Sequence, residues 1–183
     1  MTMTTTLVRT GSALAAAGLL VGMLSACTPE ADPTPTPTKT AAFATDEEAF
    51  AAAEETYRAF IDAQNELDLS DESTFEAVYA LTADAAYAAI RESLTQLQAQ
   101  GVTMTGSSVV TGVEPLQANL ASGAVTMHVC VDVSATDLLD EQGASIVPPS
   151  RADVQSLVVD FAIHTTGELR VARTAGDEAP CPT

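Results

Sequence analysis

Acid–base, nucleophilic or metal chemistry in this chain would have to start from a small set of side chains. The histidines are His128 and His164, each on the polar phase of an alternating segment, accompanied by Asp132 and Asp160 respectively. A histidine–aspartate dyad does general acid–base work only from a water-poor pocket within hydrogen-bond reach of a substrate. The apolar phase of both segments is the one that would face a core. His128 and His164 therefore read as solvent-exposed residues of an outer face rather than as catalytic groups. Tyr57, Tyr79 and Tyr87 suit core positions with the hydroxyl at the rim. Of the cysteines, Cys27, Cys130 and Cys181, the last two have no ligand partner at zinc-finger spacing. The sequence contains no Gly-rich phosphate loop, no GxSxG elbow and no HExxH pair. No catalytic residue, metal or cofactor is assigned.

The elements that would position these groups change period half-way along the chain. Thr45-Asp46-Glu47-Glu48 is a capping box that starts a helix, with Phe50, Tyr57, Phe60, Ile61 and Leu67 at helical spacing. Ser73 with Glu76 reads as a second capping box before a short helix containing Phe75, Val78 and Tyr79. A third helix follows Thr82, with Tyr87, Ile90, Leu94 and Leu97 along one face and Gly101 as its C′ residue. After Gly101 the period becomes two. A first strand begins at Val102 and Met104, with Gly106-Ser107-Ser108 as a bulge or bend, and continues through Val109 and Val110. Its end and a connection fill Val113 to Leu120, which Pro115 interrupts. Ala124 to Val133, Leu157 to His164 and Leu169 to Thr174 are the remaining strands, and residues 134–152 between them read as an acidic loop. Helices followed by consecutive antiparallel strands predict an α+β domain, with N-terminal helices packed on a curved, mostly antiparallel four-stranded sheet.

Composition narrows the partners. The chain has 183 residues, 46% of them hydrophobic, and a formal charge of −18 from 25 acidic against 7 basic residues. Such a field repels phosphate backbones, which excludes nucleic-acid binding through a basic surface. The longest apolar run, Leu14 to Leu24, is shorter than the roughly 20 residues a spanning helix needs. With Arg9 ahead of it and small residues behind, it reads as a targeting segment over residues 1–26. Leu24, Ser25, Ala26 and Cys27 resemble a bacterial lipobox, the site at which a lipoprotein signal peptidase cuts before a lipidated cysteine. The resemblance implies that Cys27 becomes the first mature residue and carries the lipid. Two or more acyl chains anchor stably where one does not. Setting Cys27 aside leaves Cys130 and Cys181, which can pair in an oxidising compartment or stay as free thiols. Paired, they would close a loop worth about 4 kcal/mol by the chain-entropy argument. Residues 27–42, with Pro33, Pro35 and Pro37, form an extended tether. Its 28–40 stretch would reach up to about 40 Å.

The stretch VCVDVSATDLLDEQG from Val129 to Gly143, then Pro149-Ser150-Arg151, LVVDF at Leu157 to Phe161, ELRV at Glu168 to Val171 and the late Cys181 resemble small actinobacterial lipoproteins with a nuclear-transport-factor-2-like, cystatin-like domain. Similar chains commonly carry tryptophan where this one has Leu169. The resemblance implies a cone-shaped α+β domain over residues 43–183, with an apolar pocket at its open end. It implies no activity, because such folds host enzymes and inert binding modules alike. Isomerases of this type use an aspartate base and a tyrosine oxyanion donor, and the spacing of Tyr57, Tyr79, Tyr87 and Asp160 singles none of them out. The expectation is a lipid-anchored extracytoplasmic domain, non-catalytic, binding an apolar small molecule or an envelope protein. The alternative is a cell-surface enzyme of isomerase or hydrolase type using the pocket. The polar outer face, with His128, Asp132, Asp160 and Arg170, favours a monomer over a homodimer.

Overall fold

The computed structural model describes residues 41–181. Leu24, Ser25, Ala26, Cys27 and the tether through residue 40 lie outside the described residues. Helix α1 spans Asp46–Asn65 and starts where the capping box predicts, with the Glu48 N–H donating to Thr45 Oγ1 at 3.1 Å. The Glu48 carboxylate reaches back one residue further than the simplest box, accepting from the Ala44 N–H at 2.9 Å. A short 3₁₀ turn, Glu72–Thr74, leads into α2, Phe75–Ala80. The expected Ser73–Glu76 box does not form. Asp71 caps the turn instead, accepting from both the N–H and the hydroxyl of Ser73, because a carboxylate two residues upstream outcompetes a lone hydroxyl. Helix α3, Asp84–Ala99, ends in a Schellman motif: the Gly101 N–H donates to Gln98 O and the Val102 N–H to Leu97 O, with Gly101 at φ 64°.

The second half is all strand, in two antiparallel sheets. The larger has the order β2-β3-β5-β6, comprising Val109–Asn119, Ala124–Asp132, Val154–Ile163 and Leu169–Gly176. The smaller pairs β1, Thr103–Thr105, with β4, Asp137–Leu139. Two expectations are corrected here. Residues 134–152 are not wholly loop, since the backbone of Asp137–Leu139 is hydrogen-bonded to β1. The segment from Val113 onward is strand as far as Asn119, because β2 is an edge strand, where a proline costs no ladder bond on the open side. The register of β2 against β3 shifts between Val110 and Gly112 and again between Pro115 and Gln117.

Alternation on β3 sends Val125, Met127, Val129 and Val131 toward the helices, where all four are buried. They meet Ala49, Ala53, Tyr57 and Phe60 of α1, spaced so that one helical face touches the sheet. The two alanines are fully buried and let the helix approach closely. Phe161 and Val159 of β5 and Val171 of β6 complete this core. A second cluster, Leu69, Phe75, Leu94 and Val102, packs under the small sheet with Met104 and Leu138. The link between α2 and α3 docks on β6: the Ala83 N–H donates to Val171 O and the Val171 N–H to Leu81 O. Thr82, 1% exposed between them, is satisfied through its hydroxyl to Val78 O and Tyr79 O.

Candidate functional site

Between α1, α3 and the inner face of the large sheet lies a cavity of about 440 Å³. Helix α1 contributes Tyr57, Phe60, Ile61 and Gln64; α3 contributes Ala86, Ala89 and Ile90; the sheet contributes Val131, Leu157 and Gln155. The space exists because α3 presents alanines here instead of bulkier residues. The connection before β2 closes one side, held by Asn65, whose amide donates to Ser108 O at 2.9 Å and accepts from the Ser108 N–H at 2.8 Å. No carboxylate or imidazole is among the residues that line this cavity. Its one charged lining residue, Arg173, is paired through Nε to Asp160 Oδ2 at 2.9 Å. Tyr57 is 2% exposed and stacks edge-on against Phe161, with ring centroids 6.3 Å apart. Burial pushes its phenol well above the ordinary range, so it stays a neutral hydroxyl.

The other predicted residues do not converge on this cavity. Tyr79 and Tyr87 stack on each other at 5.4 Å in a separate groove with Arg91 and Glu72. Desolvation raises the Tyr79 phenol first, with Arg91 opposing it. Asp160 sits on the far face of the sheet, opposite Thr126 and Arg173 in register, and accepts from the Thr126 hydroxyl at 2.9 Å. The Ser134 side chain first, and then its N–H, which donates to Asp132 Oδ1 at 2.9 Å, hold the Asp132 carboxyl below the usual range. His164 meets the hydroxyl of Thr166 at 3.1 Å rather than Asp160. Neither histidine–aspartate dyad is formed.

His128 departs most from expectation. It is on the outer face of the sheet, as its phase predicts, yet it is 3% exposed. The segment after β6 folds back over it. The Asp177 N–H donates to Ser156 O, the Ser156 hydroxyl donates to Ala179 O at 2.7 Å, and Cys181 is bonded to Cys130, whose Cα lies 5.7 Å away. His128 Nε2 lies 2.8 Å from Ser156 Oγ. Because the serine spends its only proton on Ala179, the imidazole Nε2 carries the proton in that contact. Glu114 Oε2 stands 3.7 Å from Nδ1, and Asp177 Oδ2 stands 3.8 Å from Nε2. Glu114 and Asp177 are the site residues that sequence reasoning missed. Glu114 was readable only from the β2–β3 register, which pairs it with His128.

No protein-family model matches the chain, and a search of curated proteins finds no match. No helix among the described residues is long and apolar enough to cross a membrane.

Proposed function

We propose that this chain is an extracytoplasmic lipoprotein, held at the membrane by lipid on Cys27. Its α+β domain, of nuclear-transport-factor-2-like type, is then a non-catalytic binding module for a neutral, mostly apolar small molecule. The observation that carries the ligand half of this reading is the cavity. Its volume is within the range of small-molecule sites, its walls include Phe60, Ile61, Ile90 and Leu157, and its uncharged polar lining residues are Tyr57, Gln64, Ser108, Gln155 and Thr174. An isomerase or hydrolase would need a general base among the lining residues, within reach of the reacting atom. The lining supplies a phenol held neutral and an arginine already paired.

The test uses the neutral fluorophore N-phenyl-1-naphthylamine, titrated into the protein and into an Ala89→Trp variant. Ala89 is exposed at the cavity wall, so an indole there should fill the space without disturbing the core. Saturable enhancement in the parent that is lost in the variant supports the reading. Equal fluorescence in both, or none in either, refutes it. For the anchor, Cys27→Ser should abolish incorporation of labelled fatty acid, and continued labelling would refute the lipobox assignment.

A further inference from the structure

The outer face of the sheet holds a donor set that the cavity does not use. The ligand atoms of His128, Cys130 and Cys181 lie within 4.8 Å of one another. His128 and Cys130 sit two residues apart on the same face of β3, and Cys181 is delivered by the irregular segment after β6. Asp177 stands on the Nε2 side of the imidazole and Glu114 on the Nδ1 side. We propose that reduction of the Cys130–Cys181 bond converts this cluster into a tetrahedral site for a borderline-soft divalent cation of the zinc type, with His128, Cys130, Cys181 and Asp177 as ligands.

The chemistry balances with an external dithiol as reductant. Each of its two sulfurs loses a proton and an electron and closes a cyclic disulfide. The protein S–S bond takes up both electrons and both protons to give two thiols. Cation binding then expels the two thiol protons and leaves two thiolates on the metal. A set of two thiolates, one imidazole and one carboxylate suits zinc, whose ligands stand about 3.5–3.8 Å apart in a tetrahedron with Zn–S near 2.3 Å and Zn–N near 2.0 Å. Once the S–S bond is broken, the two sulfurs part to ligand spacing, and movement of the irregular 177–181 segment brings Asp177 in as the fourth ligand while β3 stays fixed in the sheet. Glu114 then takes the position that a carboxylate holds behind a metal-bound histidine. Cation binding at Nε2 breaks that nitrogen's contact with Ser156 and moves the imidazole proton to Nδ1, so that Nδ1–H donates to Glu114 Oε2 and fixes the ring. The imidazole side chain between the two carboxylates is 4% exposed.

The experiment uses the full chain carrying Cys27→Ser, so that Cys130 and Cys181 are its only thiols. The protein is reduced with a dithiol, exchanged into metal-free buffer without air, and titrated with Co²⁺ alone. Thiolate-to-cobalt charge-transfer bands and the intense visible bands of tetrahedral cobalt should grow to equimolar saturation, and they should be absent from the oxidised protein. Glu114 is 64% exposed in its side chain, so Glu114→Gln leaves the fold intact. It should weaken cobalt binding by about 10- to 100-fold, the usual effect of removing an outer carboxylate partner. His128→Gln should replace the tetrahedral spectrum by a weaker one. Far-UV circular dichroism of the reduced protein, before and after cobalt, reports whether the sheet is retained. Absence of charge-transfer bands in the reduced parent overturns the proposal. So does cobalt affinity unchanged in both variants, which would mean chelation by the two thiols alone.

Discussion

Replacing Cys181 with serine removes one covalent bond and with it the closure of a loop of 51 residues, from the central strand to the segment after β6. In the chain-entropy description, that closure takes about 14 cal/mol/K from the unfolded chain, or about 4 kcal/mol at room temperature. The native side loses less. The Ser156–Ala179 hydrogen bond, and that from the Asp177 N–H to Ser156 O, can persist at about 1 kcal/mol each. Their persistence keeps His128 partly covered. For a domain of this size each kcal/mol moves the midpoint by about 3–4 °C, so Tm should fall by about 10–15 °C. Differential scanning calorimetry on the parent, Cys181→Ser, Cys130→Ala and the double variant tests this. The double variant should match the more affected single one, since either substitution deletes the same bond. Hydrogen exchange should show the loss around Ser156 and residues 177–181 rather than in α1. A fall under about 3 °C in both single variants would refute the argument, and with it the idea that the bond matters to the fold.

Phe161→Ala empties the space against Tyr57 and should cost about 3–5 kcal/mol in urea denaturation; a loss under 1 kcal/mol would mean that the core reading is wrong. Gly106 has φ 78°, and a Cβ there would lie 1.8 Å from Ala135 O, so Gly106→Ala must displace backbone. It should destabilise by more than about 2 kcal/mol, and a neutral result in the same assay would count against the β1–β2 connection as described. Asp68 accepts from the Ser70 hydroxyl and N–H, which lower its carboxyl below the usual range. A lowered folded value means that the stabilisation is present above the unfolded carboxyl value and is lost as pH falls through the folded one. Ser70→Ala should raise the Asp68 midpoint in a carboxyl-carbon NMR titration, and an unmoved midpoint would refute the assignment. Arg151 bonds the carbonyls of Val133 and Thr136 through Nη2, so Arg151→Ala should speed hydrogen exchange in the Val133–Leu139 turn with little change at α1; unchanged exchange would sink the idea.

What could be read from the residues depended on whether the deciding interaction was local. The start of α1 was legible because Thr45 and Glu48 sit within one turn of each other. The inner face of β3 was legible because five valines and methionines alternate without a break. The short β4 was not, since Asp137–Leu139 has no periodicity of its own and becomes a strand only through β1, more than thirty positions away. Pro115 argued against a strand, and only the position of β2 at an edge removes the objection. The phase of His128 was assigned to the correct face, and its exposure was not. What buries it is an irregular segment with no pattern to detect. A clue was present nonetheless: a bond from Cys130 to Cys181 must draw that segment across a strand face two residues from His128. The cavity was illegible for a different reason. It is defined by what Ala86 and Ala89 lack, and alanine in a helix is uninformative until the opposing sheet is in place.

The two borders of the large sheet are guarded by different means. Along β6, a strand added from another molecule would first have to displace the crossing of residues 81–83 at Val171. Along β2, Pro115 and two shifts of register break the even ladder that a newcomer would need. This matters wherever copies of the chain are concentrated, because a regular sheet border is a template for pairing with another molecule. Neighbours meeting flank to flank find no straight template on either border.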